Sequence, residues 1–238
     1  MPLQSRQIAG KVVKSVNRVL QMISDILKTE TVKMDLTLSG ENLKALEIFA
    51  AELIKWNRKV NLTSITSEKE VAVKHLLDCL YLAQFVFKED SLLDIGSGGG
   101  LPSIPLKIVR PETTMLSVDA VGKKINFQKH VIRLLGLQKI EAMHMRVEDL
   151  SKTEAGKFSL ITSRAFTRLD NFVTLAAPLL TGNGRIIAMK GLGAEDEIAV
   201  SDETLKSLGF SIASQCSYEL PFNMGSRALV TIIPCQPA

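Results

Sequence analysis

Residues 91–119 read SLLDIGSGGGLPSIPLKIVRPETTMLSVD, and the order of patterns in this stretch decides the fold. A short apolar run, Ser91–Ile95, meets the glycine-rich turn Gly96-Ser-Gly-Gly-Gly100. A helical pattern follows, then a second apolar run ending at Asp119. Strand, turn, helix and strand make a βαβ unit, which implies parallel pairing. The alternation continues at 140–144 (IEAMH), 158–162 (FSLIT) and 184–189 (GRIIAM), and the helical stretch Lys123–Leu135 stops at Gly136 in the C′ position. Segments 210–215 and 227–233 are separated by a loop holding Pro221, Asn223 and Gly225, too short for a crossover helix. They are expected to pair antiparallel.

These segments predict an α/β fold: a seven-stranded, mostly parallel sheet with one antiparallel strand near its edge. That is the Rossmann-like layout of class I methyltransferases. Upstream, the first 90 residues read as helical. Val12, Val16, Val19, Leu20, Ile23, Ile26 and Leu27 follow the 3.6 period, and a second helix is expected from about Ser39 to Trp56. A third starts at Ser67, where Ser67 and Glu70 have capping-box spacing. Residues 1–66 are therefore expected to form a helical extension, and residues 67–238 the methyltransferase domain.

Composition narrows the class. A chain of 238 residues with 46% hydrophobic and 23% charged residues buries a core without disulfide or metal support. No apolar run approaches the roughly 20 residues a membrane span needs. The charge of +4 permits a polyanionic partner without demanding one. Cys79, Cys216 and Cys235 form no CxxC pair, which suits a reducing compartment, and a cytoplasmic monomer is expected. The opening residues carry Arg6, Lys11, Lys14 and Arg18 without an acid, and a solvated helix face explains them better than a targeting signal. No cluster has metal-ligand spacing, so no metal is implied.

The chemistry concentrates on the turn. Its pattern is D-x-G-x-G-x-G from Asp94, and a dinucleotide fingerprint counted from Gly96 would need glycine where Leu101 stands. Asp94 would oppose a pyrophosphate but suits an ammonium or sulfonium ion. S-adenosyl-L-methionine carries both and no phosphate, and is preferred over a nicotinamide dinucleotide. Asp119, 23 residues after Gly96, closes the next strand where it can accept hydrogen bonds from ribose hydroxyls. After the third strand, Arg146-Val-Glu-Asp149 either faces the adenine, through a backbone amide and a carboxylate, or simply caps the next turn with Glu148 and Asp149. After the fourth, Thr162-Ser-Arg-Ala-Phe166 takes the target-recognition slot; Arg164 and Phe166 suit phosphate contact and base stacking. Lys190 lies on the same edge. His75 is expected on the exposed, polar side of the third helix, beside Lys74 and Asp78.

Trp56-Asn-Arg-Lys-Val-Asn-Leu-Thr-Ser64, Lys74-His-Leu-Leu-Asp78, Leu93–Pro105, Gly122-Lys-Lys, Arg146-Val-Glu and Ser163-Arg-Ala-Phe166 together resemble the glucose-inhibited division protein B family over roughly residues 40–234. Residues 1–35 lie outside the resemblance. It implies methylation of guanine N7 in the 530 loop of 16S rRNA, on the small ribosomal subunit or an assembly intermediate. Carried over by motif, the turn (Gly96, Ser97, Gly98 and Gly100) and Leu101 would hold the methionine and ribose side, and Val147 and Glu148 the adenine. Arg164 would sit near cofactor and target base, with Phe166, Lys190 and His75 toward the RNA. Gly99 departs from the family, whose members often have proline there. Guanine N7 has a lone pair and no proton, so no catalytic base is expected. Two rivals share the fold: a methyltransferase for a protein or small molecule, and a non-catalytic RNA-binding or ribosome-assembly module.

Overall fold

The computed structural model describes residues 21–235. One sheet holds seven strands: β1 (Ser91–Ile95), β2 (Thr114–Asp119), β3 (Ile140–His144), β4 (Phe158–Arg164), β5 (Leu180–Lys190), β6 (Phe210–Glu219) and β7 (Ser226–Pro234). Their order is β3-β2-β1-β4-β5-β7-β6, and β7 runs antiparallel to both its neighbours. The expected α/β layout is thus the observed one. The chain reverses direction across the sheet between β1 and β4, and the carboxyl ends of strands at such a switch point open a crevice for ligands.

Adjacent residues on a strand face opposite sides of the sheet. Leu92, Leu160, Ile187 and Leu229 accordingly enter one core layer, while Leu93, Ile161, Ile186 and Val230 enter the other. Over the first layer lie α1 (residues 21–32), α2 (Gly40–Val60), α5 (Ser103–Val109) and α6 (Gly122–Leu134). Over the second lie α7 (Val147–Glu154), α8 (Leu169–Ala176) and α9 (Ala194–Ser207). Burial on both sides explains why the central strands read as apolar runs instead of alternating patterns.

The three earliest strands begin and end where their apolar runs do. The later ones run longer. On β4, Ser163 and Arg164 continue the ladder opposite Ala188 and Met189, past the point where apolar residues stop. On β6 the exposed residues 214–217 stay paired with β7 beyond a bulge at residue 213, so the edge ladder and not hydrophobic pattern sets its length. Helix α2 outruns Trp56 and ends at Asn61, which takes the left-handed conformation natural for a C-cap. Ser39 caps its start in a reciprocal box with Asn42. Gly136 stands where expected: its N–H reaches the Arg133 carbonyl and that of Leu137 the Ile132 carbonyl, a complete Schellman closure of α6.

Of the first amphipathic stripe, Val12, Val16, Val19 and Leu20 lie outside the described residues. Ile23 and Leu27 are fully buried and join the same cluster as Phe49, Leu53, Phe127 and Val131. The helices before residue 66 therefore pack on the first layer of the sheet domain. No helix among the described residues is long and apolar enough to cross a membrane.

The third helix departs most from expectation. Ser67 accepts the N–H of Glu70 as foreseen, and its hydroxyl donates to the Glu70 carboxylate. Beyond α3 (Glu68–Glu70), however, Val71–Leu77 form a π-helical stretch before α4 (Asp78–Tyr81) and a 3₁₀ turn, Leu82–Phe85. The wider turn breaks the 3.6 period and rotates His75 and Asp78 inward; each is 3% exposed. The expectation of an exposed His75 is thereby corrected.

Candidate active site

The loop after β1 is tied down before any ligand is considered. The N–H groups of Gly96 and Ser97 both donate to the Val118 carbonyl, and that of Gly98 donates to Asp119 Oδ2 at 2.9 Å. Gly96, Gly98 and Gly100 all have positive φ. At Gly96 the requirement is double, because a Cβ there would also run into the ring of Phe166. From α6, fully buried Gln128 donates to Ser97 Oγ and to the Gly98 carbonyl, both at 2.8 Å, and accepts from Ser117 Oγ at 2.6 Å. Ser97 thus turns its hydroxyl inward. Sequence reading missed Gln128 and Ser117, which no local motif marks.

Asp94 lies beneath the turn with no exposed surface. Its Oδ2 accepts the Ser103 N–H at 3.1 Å, while Oδ1 is buried without a partner. Burial pushes its carboxyl up to about 7, although the Ser103 hydrogen bonds oppose the shift. Asp119, 6% exposed, accepts from Val121 N–H at 2.8 Å through Oδ1, so each of its oxygens keeps lone-pair capacity for another donor.

Asp119 opens onto a cleft of about 150 Å³, walled by Ile95, Gly96, Val118, Ala120, Met145, Arg146, Val147, Glu148 and Phe166. Val147 is buried and Glu148 exposed in the first turn of α7. Neither Glu148 nor Asp149 caps that helix; Asp149 pairs with Lys152 at 2.7 Å. Apolar walls, the Asp119 carboxylate in the cleft and an unpartnered carboxylate oxygen under the turn fit S-adenosylmethionine: flat adenine, hydroxylated sugar and cationic tail. A pyrophosphate in that cleft would meet the Asp119 carboxylate instead.

At the far side of the turn β4 ends on Arg164. Ala165 then adopts a left-handed conformation (φ 51°), uncommon without glycine, and the chain folds back so that Phe166 covers Gly96. Phe166 is 40% exposed. Arg164 Nη1 donates to the Lys74 carbonyl at 2.9 Å, lies 3.2 Å from His75 Nδ1, and reaches Asp78 Oδ2 at 3.4 Å. A second cavity, of about 260 Å³, adjoins this cluster and is lined by Ile65, Lys74, Asp78, Arg164, Ala165, Met189, Lys190, Gly191 and Arg227.

Burial, aided by the Arg164 charge, pushes the His75 imidazole down to about 3. Its Nδ1 lies 3.1 Å from the Lys74 carbonyl oxygen and 3.2 Å from Arg164 Nη1, and its Nε2 lies 2.8 Å from Thr63 Oγ1. Asp78 Oδ1 accepts the Tyr218 hydroxyl at 2.9 Å, with Arg227 Nε 3.8 Å away. Lys190 does not point freely outward. Its ammonium donates to the Thr167 carbonyl at 2.8 Å and Glu197 at 2.7 Å, fastening the loop after β4. The structure therefore gathers Gly96, Asp119, Val147, Glu148 and Phe166 around one cleft, and Arg164, Lys190 and the unforeseen Arg227 around the next. His75 supports Arg164 from behind. Arg227 escaped notice because only the reversed β7 brings residue 227 to this edge.

A family model described as rRNA small subunit methyltransferase G matches residues 42–219. The chain is 44% identical over 214 residues to the ribosomal RNA small subunit methyltransferase G of Geobacter sp. (strain M21), covering 90% of this chain and 99% of that protein. It is 46% identical over 207 residues to the like-named protein of Geotalea uraniireducens (strain Rf4), covering 87% and 94%. Among solved structures, M. jannaschii TYW2 in complex with AdoMet superposes with a TM-score of 0.53 at 12% identity, over 66% of this chain and 74% of that one. That last likeness speaks for the fold.

Proposed function

The chain belongs to the rRNA small subunit methyltransferase G family and is an S-adenosylmethionine-dependent methyltransferase, and from that premise we propose that it methylates N7 of a guanine in the 530 loop of 16S rRNA. The observation that carries this reading is the cavity lined by Arg164, Lys190 and Arg227 on the same strand edge as the glycine turn, with no histidine in its lining and His75 buried behind Arg164. The one carboxylate in that lining, Asp78, is taken up by Tyr218 and Arg164, which suits N7, a group that presents a lone pair and loses no proton. Transfer to an amino group would leave a proton to be removed. The acceptor is met on the small subunit or an assembly intermediate, by a monomer in the cytoplasm.

The cofactor, when bound, supplies a methyl group activated on a sulfonium. The residues of this chain bind and orient. Gly96, Gly98 and Gly100, with Leu101, shape the turn against the methionine and ribose side, and Ser97 braces it from within. Asp94 counters the cationic tail. Asp119 accepts from ribose hydroxyls, and Val147 and Glu148 meet the adenine. Phe166 stacks on the target base and Arg164 holds the base or its phosphate, while His75 and Lys190 keep those groups in place. In-line positioning of this kind is worth about 7–11 kcal/mol of barrier.

Purified protein, labelled S-adenosylmethionine and small subunits from a strain lacking the modification provide the test. Nuclease digestion and mass spectrometry should locate 7-methylguanosine in the 530 loop. Label on another base, on a protein or on nothing rejects the assignment.

A further inference from the structure

Phe222 sits at the tip of the β6–β7 loop, 52% exposed, with Lys69 Nζ 3.9 Å from its ring centroid. The loop is closed by Leu220 N–H donating to the Gly225 carbonyl at 3.0 Å. Within it both Phe222 (φ 61°) and Asn223 (φ 56°) are left-handed. A bulky residue with positive φ is a backbone outlier, and such strain collects at ligand-binding positions. Here it holds an aromatic ring in water, where the ring adds nothing to either core layer.

The position is informative. Arg227, two residues beyond the loop, lines the 260 Å³ cavity, and Ala228 pairs with Lys190, so the loop leaves from the same carboxyl edge as Arg164. Lys69 stands one turn before Lys74, another cavity residue, and neighbouring Glu70 is taken up by Lys74 at 2.6 Å. A cation over one face of an exposed ring, on a basic rim, is chemistry for a nucleobase. Aromatic stacking accepts any base, and cations track its phosphate.

We infer that Phe222 and Lys69 form a second stacking site, distinct from the target-base cavity, which takes an unpaired nucleobase flanking the methylated guanine. The inference rests on the RNA reading above. With the full chain and small-subunit RNA as acceptor, Phe222→Leu keeps bulk and apolarity but removes the ring face. It should raise KM for RNA by roughly 5- to 150-fold, the range of base–aromatic stacking. The turnover number and S-adenosylmethionine affinity should stay at wild-type values. Phe222→Tyr should restore KM. An oligonucleotide with 2-aminopurine beside the target guanine should be quenched by wild type and Phe222→Tyr, and not by Phe222→Leu. Wild-type KM and quenching in Phe222→Leu, or equal loss in the Leu and Tyr variants, overturn the second site while leaving the RNA reading intact. A wild-type enzyme that methylates no RNA overturns both.

Discussion

His75 Nδ1 lies 3.2 Å from Nη1 of Arg164, so a buried imidazole stands in direct contact with a guanidinium. Protonating that ring would place two cations in contact away from water. The folded state therefore binds the proton only near pH 3, whereas the unfolded chain binds it near 6.5. The unfolded state holds more protons between those limits, so this group makes stability fall as pH drops from 6.5 toward 3. Asp94 has the opposite sign. Its folded carboxyl titrates near 7 and its unfolded one near 3.8, so its share of stability is lost as pH rises between them. Urea titrations at pH 4.5 and 7 should show His75→Gln flattening the acid-side loss and Asp94→Asn gaining relative stability toward pH 7. Each should change the slope by about 1.4 kcal/mol per pH unit. Parallel pH curves for wild type and both variants would contradict the burial argument.

Asp119 is expected to act twice, on the ribose and on the Gly98 and Val121 N–H groups. Asp119→Ala should weaken S-adenosylmethionine binding by about 1.5–3 kcal/mol for each charge-assisted bond lost. Asp119→Asn, which retains one acceptor oxygen, should lose less. Calorimetry on folded variants decides, and unchanged affinity in the alanine variant removes Asp119 from the cofactor site.

The helices before residue 66 are proposed to fold with the sheet and not apart from it. Phe49 on α2 is fully buried, its ring centroid 6.2 Å from that of Phe127 on α6. Phe49→Ala should cost about 3–5 kcal/mol in a single unfolding transition followed identically by all probes. Two separated transitions would show that the extension folds by itself.

The parts of the site that were legible before the structure are those carried by one short stretch: the turn from Asp94 to Gly100, and Asp119 closing the next strand. There, covalent spacing alone puts the groups together. Gln128 was silent because its partners, Ser97 and Ser117, meet it only when α6 docks on the sheet. His75 misled because a π-helical stretch leaves no mark on a sequence scanned at period 3.6. Arg227 and Tyr218 reach Asp78 from β7 and β6, strands whose edge position comes from long-range pairing. Lys190 was placed on the correct edge, yet its charge goes to Glu197, a partner supplied by α9.

Gly96 and Phe166 form a contact that substitution can separate into parts. Gly96→Ala should be strained by its positive φ and by collision with the Phe166 ring. The backbone part costs about 1–2 kcal/mol. Adding Phe166→Ala should recover the collision part, so the double variant should be more stable than additivity predicts. Strict additivity in a thermal or urea cycle would mean that the ring does not rest on the turn.

Arg164 at the end of β4 supplies the sharpest test of how methyl transfer is arranged. A guanidinium forks onto a phosphate or stacks on a base, and a lysine ammonium does neither equally well. Here Nη1 is already held by the Lys74 carbonyl and His75, which fixes the plane of the group while the cavity receives its remaining donors. Arg164→Lys should keep the fold and the positive charge, yet misplace the acceptor by about an ångström, enough to lower turnover on the order of 10²-fold. S-adenosylmethionine affinity should change far less than turnover. With His75 neutral down to about pH 3, the wild-type rate should also show no ascending limb near pH 6–7 from an enzyme base. Single-turnover assays across pH 5.5–8.5 check both points. Wild-type turnover in Arg164→Lys would remove the residue from acceptor positioning, and an ascending limb near 6.5 that persists in Asp94→Asn at saturating S-adenosylmethionine would demand a proton acceptor that N7 chemistry does not use.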